Sequence, residues 1–137
     1  MKKKEAYCPE SRAVIGLCLD VHTALGPGLL ESAYEECVAA ELVARGFRFE
    51  RQPQIDVTYR GRAVKAFFAD FIVFDRIVLE LKSVWKVHDL HETQLRTYAR
   101  IAKKPVGLLI NFNVQRLRDG GIKRIEVEEW KGPIDSR

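Results

Sequence analysis

Three ionisable residues interrupt two of the most apolar stretches of the chain. Asp70 lies within Ala66-Phe67-Phe68-Ala69-Asp70-Phe71-Ile72-Val73-Phe74, and Glu80 and Lys82 lie within Ile77-Val78-Leu79-Glu80-Leu81-Lys82. Burying an unpaired carboxylate or ammonium costs several kcal/mol even after relaxation, so each charge is expected to have a compensating partner. A divalent cation between Asp70 and Glu80 is one solution. A salt bridge from Lys82 to either carboxylate is another. Hard oxygen ligands with room for water suit Mg²⁺ or Mn²⁺. The plain structural alternative is an edge pair of Glu80 and Lys82, half exposed, with Asp70 at a bend.

Glu80 and Lys82 are two apart on a strand and so share a face. Asp70 joins them only in one register. A two-residue turn at Asp75-Arg76 sets Asp70 opposite Leu81 and separates the two carboxylates. A three-residue turn, Phe74-Asp75-Arg76, sets Asp70 opposite Glu80, and the odd-length turn or a bulge is expected here. Facing carboxylates repel unless a positive charge lies between them.

Two helices add polar groups. Glu31, Tyr34 and Glu35 share a face at helical spacing, although Glu31 alone reads as a first-turn acid favoured by the helix dipole. His91, Gln94 and Tyr98 recur at spacings of three and four, and are equally well read as a solvated face with a core tyrosine. His88-x-x-His91 has no third ligand with it, so zinc is not expected.

The elements that must position these groups follow from the apolar period. Residues 1–10 read as a loose polar tail, with Ser11 as the cap of a first helix whose stripe is Val14, Leu17, Cys18, Val21 and Leu25. Gly26-Pro27-Gly28 stops it. A second helix spans about 29–45 and buries Leu30, Tyr34, Cys37, Val38 and Leu42, ending at Gly46. Ile55, Val57 and Tyr59 alternate along a strand at 54–59, and Arg60-Gly61-Arg62 turns. The runs at 66–74 and 77–82 read as central strands covered on both faces. A helix at about 88–102, a buried strand at 106–111 and an amphipathic strand at 122–130 complete the order ααβββαββ in one domain, 11–137.

With 137 residues, 47% of them hydrophobic, the chain suits a single core. Its formal charge of +4 is a weak pointer to nucleic acid. Three cysteines, Cys8, Cys18 and Cys37, form no CxxC pair, which argues against a disulfide framework. No apolar run approaches the roughly 20 residues of a membrane span, and no apolar segment follows the N-terminal lysines. A cytoplasmic protein is expected.

In order and element type, Glu31, Asp70 and Glu80-Leu81-Lys82 resemble the signature of the PD-(D/E)XK nuclease superfamily, and Gln94-x-x-x-Tyr98 resembles the motif that follows in its RecB-like members. Gly28-Leu29-Leu30-Glu31-Ser32-Ala33-Tyr34, Leu79-Glu80-Leu81-Lys82-Ser83, His91-Glu92-Thr93-Gln94-Leu95, Gly107-Leu108-Leu109-Ile110-Asn111-Phe112 and Ile122-Lys123-Arg124 are similar to the GxxExxY family within it. Ala69 stands where the superfamily's name has Pro, a position that carries no ligand. The resemblance implies an α/β fold with a restriction-endonuclease-like core, a mixed β-sheet flanked by helices. It implies Mg²⁺- or Mn²⁺-dependent hydrolysis of phosphodiesters, with DNA expected ahead of RNA. Asp70, Glu80 and the Leu81 carbonyl would hold the metal, with Glu31 ligating through water or helping a second ion. Lys82 would orient the attacking water or stabilise the developing anion, and Gln94 and Tyr98 would position the phosphate backbone. Lys123, Arg124 and His91 are the expected nucleic-acid contacts. Rival readings are an accessory binding module with a barely active site, needing a protein partner or a second copy to grip a duplex, and a metal-free structural charge network.

Overall fold

The computed structural model describes residues 8–128. Residues 1–7 of the expected tail and residues 129–130 of the expected last strand lie outside them, and that strand already ends at Glu126, short of Val127 and Glu128. The elements run α1 (Pro9–Leu25), α2 (Glu31–Ala44), β1 (Phe49–Arg51), β2 (Gln54–Tyr59), β3 (Arg62–Phe68), β4 (Phe71–Val73), β5 (Ile77–Lys82), α3 (Asp89–Ile101), β6 (Val106–Asn111) and β7 (Ile122–Glu126). Five strands form a mixed sheet in the order β1-β4-β5-β6-β7, and β2 and β3 form a separate hairpin. β5 and β6 are parallel, joined through α3, while the other neighbours in the sheet are antiparallel. A mixed sheet between helices is the expected architecture.

The apolar runs explain why the sheet is central. Alternate residues of β5 and β6 feed two cores. Ile77, Leu79, Leu81, Leu108 and Ile110 pack with α1 and α2, whereas Val78 and Leu109 pack with Leu95 and Ala99 of α3. Gly107 is where α3 comes down on the sheet: a Cβ there would lie 2.8 Å from Leu95 Cγ. The missing side chain sets the distance of α3, and with it the reach of His91, Gln94 and Tyr98.

Several expectations are corrected. Pro9 and Glu10 are helical, because proline at a first helical position presets φ and removes an N–H the helix cannot use. Ser11 is therefore not the cap: Cys8 is, and Ser11 is buried inside the helix. Leu30 caps α2 instead of joining its stripe and is 79% exposed, while Leu25 and Tyr59 also face solvent. The expected strand at 66–74 breaks at Ala69-Asp70, leaving β3 in the hairpin and β4 in the main sheet. The second strand of the hairpin starts earlier than expected, with Arg60 and Gly61 both at positive φ in the turn. β1 is an addition to the expected order; three residues are too few for a period to register.

Candidate active site

β4 and β5 pair as Phe71↔Leu79, Ile72↔Val78 and Val73↔Ile77. The connection is thus Phe74-Asp75-Arg76, the odd-length turn, with Phe74 and Asp75 both in the left-handed region. One step beyond the last pair, Asp70 falls opposite Glu80. The Asp70 N–H donates to Glu80 Oε1 at 3.3 Å, and the Leu81 N–H donates to Asp70 Oδ2 at 2.7 Å. A continued ladder would have given Leu81 a backbone acceptor. Because the chain leaves for the hairpin at Ala69, the Asp70 carboxylate takes that place.

Asp70, Glu80 and Lys82 line one cavity of about 250 Å³ together with Glu31, His91, Gln94 and Tyr98. The fold thereby brings together residues from α2, the β4 edge, β5 and α3. A larger cavity of about 560 Å³, between α1 and residues 115–119, contains a single carboxylate, Asp119.

Burial and proximity disfavour the pair as two anions. Burial pushes the Glu80 carboxyl up to about 8, and the Asp70 charge adds to the rise. Burial also raises Asp70, with the charges of Glu35 and Glu31 adding to it, against the Leu81 hydrogen bond. Lys82 lowers Glu80 through its charge. Among the described residues, however, Lys82 forms no ion pair with either carboxylate. That counts against Lys82 as the neutralising partner.

The donor set fits a hard dication. Two carboxylates press together with their charged forms disfavoured, and a positive ion reverses that penalty. Lys82 O pairs across to Phe112 N at 2.9 Å. Backbone groups of successive strand residues point to opposite sides, so the Leu81 carbonyl faces Asp70, the side to which its own N–H already points. No three His, Cys, Asp or Glu side chains make a ready cage among the described residues. Mg²⁺ needs none, since it is commonly held by one or two carboxylates, water and substrate phosphate.

Glu31 is positioned by the loop before it. The Tyr34 hydroxyl donates to Gly26 O and accepts from the Leu29 N–H at 3.2 Å, and its ring stacks on Phe112 with centroids 4.3 Å apart. Ser83 Oγ donates to Leu29 O at 2.6 Å, tying the same loop to the end of β5. Glu35 is engaged elsewhere, by Arg51 at 3.0 Å. On α3, His91 Nδ1 accepts from the His88 N–H at 3.1 Å, and partial burial, then Lys82 and His88, hold its pKa below the usual range. Gln94 is exposed. Tyr98 stacks on Phe67 at 3.9 Å, so it packs as well as lining the cavity.

The two cationic candidates on β7 separate. Lys123 pairs with Leu109, on the cavity's face of the sheet, and lies 3.9 Å from Glu92. Arg124 pairs with Leu108, on the opposite face, where its Nε donates to Ser11 Oγ at 3.1 Å and its Nη1 is buried without a hydrogen bond. The structure does not bring Arg124 to the cavity, because adjacent strand residues point to opposite faces.

Three contributors have no role assigned from the sequence, although Ser83 and Asn111 fall within the motifs quoted above. Asn111 ends an apolar run as Asp70 interrupts one, and that signal could have found it. Its side chain accepts from Val84 N and donates to Val84 O, each at 3.0 Å, fixing the chain after β5. Ser83 gives no such signal, and Phe68, which lines the cavity, is one apolar residue among many. No helix among the described residues is long and apolar enough to cross a membrane.

Comparison with curated proteins and with solved structures finds no match. A family model described as the PD-(D/E)XK nuclease superfamily matches residues 9–125.

Proposed function

The chain belongs to the PD-(D/E)XK nuclease superfamily, and on that premise we propose that it is a Mg²⁺- or Mn²⁺-dependent nuclease hydrolysing phosphodiester bonds, of DNA ahead of RNA, and a GxxExxY-type member. The observation that carries this reading is the shared cavity of Glu31, Asp70, Glu80, Lys82, Gln94 and Tyr98. Asp70 and Glu80 would hold the ion, with the Leu81 carbonyl as a further ligand and Glu31, at the cavity wall, ligating through water. When bound, the ion lowers the pKa of a water and offsets charge on the phosphate. Lys82 is unpaired with either carboxylate, so its ammonium is available to orient the attacking water and to stabilise charge developing on the phosphate. Gln94 and Tyr98 hold the substrate backbone against the cavity, and His91 and Lys123 supply contacts on the same face. Phosphate contacts of this kind position a substrate without reading its sequence. The mild charge and small size suit a clamp completed by a second copy or a protein partner.

The test is cleavage of single- and double-stranded DNA and RNA with Mg²⁺, Mn²⁺ or chelator, for the wild type and Asp70→Ala. Metal-dependent cutting lost in Asp70→Ala supports the reading. Cutting that survives in Asp70→Ala, or in chelator, rejects it.

A further inference from the structure

β5 ends at Lys82, which lines the cavity, and the chain runs on to His88, whose ring lies 5.8 Å from that of His91, another lining residue. Its first two residues on that path are held firmly. Ser83 Oγ bonds to Leu29 O, and both backbone groups of Val84 bond to the Asn111 side chain. The next residue, Trp85, is 94% exposed. A fixed backbone thus presents an indole to water. The ring is the largest apolar side chain a protein has, and burying it would be strongly favourable. Trp85 lies three residues from Lys82, hence within about 10 Å along the chain. Phe68 lines the cavity and is itself 59% exposed. Lys86, also exposed, follows Trp85, and His88 comes two residues later.

Exposed aromatic faces and a lysine next in sequence to one of them, beside a polar cavity, suit a ligand that alternates flat apolar rings with phosphates. Single-stranded nucleic acid is such a ligand, because its bases are free to stack on a side chain. In a duplex they already stack on one another. A second copy of the chain is the other occupant such a surface could take, and the oligomeric state tells the two apart. Building on the nuclease reading, we infer that the substrate is single-stranded, or unpaired at the scissile position, and that Trp85 is the platform on which a base beside that phosphate stacks.

The experiment uses the full chain with Trp130→Phe, so that Trp85 is the only tryptophan. Its fluorescence is titrated with a short oligothymidylate and with a blunt duplex of equal length, in Ca²⁺. Cleavage of both is then measured in Mn²⁺, and sedimentation gives the oligomeric state. The expected result is quenching by the single strand and at least tenfold tighter binding than to the duplex. Read by the anisotropy of a fluorescein-labelled oligothymidylate, since these variants carry no tryptophan, Trp85→Ala should lose about ten- to hundredfold in affinity, Trp85→Tyr should keep most of it, and the salt dependence should not change. Equal binding of the two forms, or a Trp85→Ala protein that binds the single strand as the parent does, overturns the inference. So does a dimer that Trp85→Ala dissociates without weakening single-strand binding. A protein that cuts duplex as fast with Trp85→Ala as without refutes the substrate class while leaving the nuclease reading standing. A protein that binds and cuts no nucleic acid refutes both.

Discussion

The carboxylate of Asp70 accepts a 2.7 Å hydrogen bond from the backbone N–H of Leu81, the residue that separates Glu80 from Lys82. This one bond joins the end of one strand to the middle of the site on the next. It fixes the Asp70 carboxylate beside Glu80 although β4 begins only at Phe71. Burial disfavours both charged forms, and the charge of Asp70 further disfavours that of Glu80, yet the fold keeps the two together.

That arrangement ties metal binding to stability. An ion that binds the folded chain alone raises the melting temperature as its concentration rises, by about 2.7 kcal/mol of added stability at a hundredfold excess over Kd. Mn²⁺ should raise the melting temperature of the wild type, and Asp70→Ala should abolish the shift. An equal shift in Asp70→Ala would place the bound ion elsewhere.

The same pair sets a dependence on pH. Glu80 titrates near 4.5 when unfolded and at about 8 when folded. Between those values the folded state holds a proton that the unfolded chain has released, so stability falls as pH rises from about 4.5 to 8. Denaturant midpoints in chelator should therefore drop from pH 5 to pH 8 in the wild type. Glu80→Gln, neutral throughout, should flatten the slope and be the more stable protein at pH 8. A wild type whose midpoint rises across that window would show that Glu80 is stabilised as an anion without metal.

Tyr34 supports the site from a distance. Its hydroxyl is buried between Gly26 O and Leu29 N. Tyr34→Phe leaves both backbone groups without that partner, which costs about 1–3 kcal/mol. Because the loop leads directly into Glu31, cleavage should fall as well, while Mn²⁺ binding at Asp70 and Glu80 persists. A Tyr34→Phe protein with unchanged midpoint and unchanged rate would remove the loop from the account.

Much of the site is legible in the sequence because charge in an apolar run is a strong signal. Asp70, Glu80 and Lys82 stand out against Phe, Ile, Val and Leu, and the strand period alone puts Glu80 and Lys82 on one face. The register of Asp70 follows from the choice of an odd-length turn, which the pairing of Val73 with Ile77 bears out. The break at Ala69-Asp70 is hidden, because Phe67, Phe68, Phe71 and Ile72 are apolar on both sides of it, in two different sheets. Arg124 resembles Lys123 by type, and only the face of β7 tells them apart. Ser11 has the side chain of a helix cap, but Pro9 has already begun the helix.

Lys82 separates a catalytic site from a structural charge network. If the site is catalytic, Lys82 acts on the water and the transition state, and the ion, not the ammonium, offsets the carboxylates. Mn²⁺-dependent cleavage and the denaturant midpoint are measured together for the wild type and Lys82→Ala. The expected result is a mutant that folds, still gains stability from Mn²⁺, and cuts about 10²–10³ times more slowly. A folded Lys82→Ala that cuts at the wild-type rate would contradict the account. So would an inactive wild type beside a mutant destabilised by about 3–5 kcal/mol, the mark of a structural charge network left without its cation.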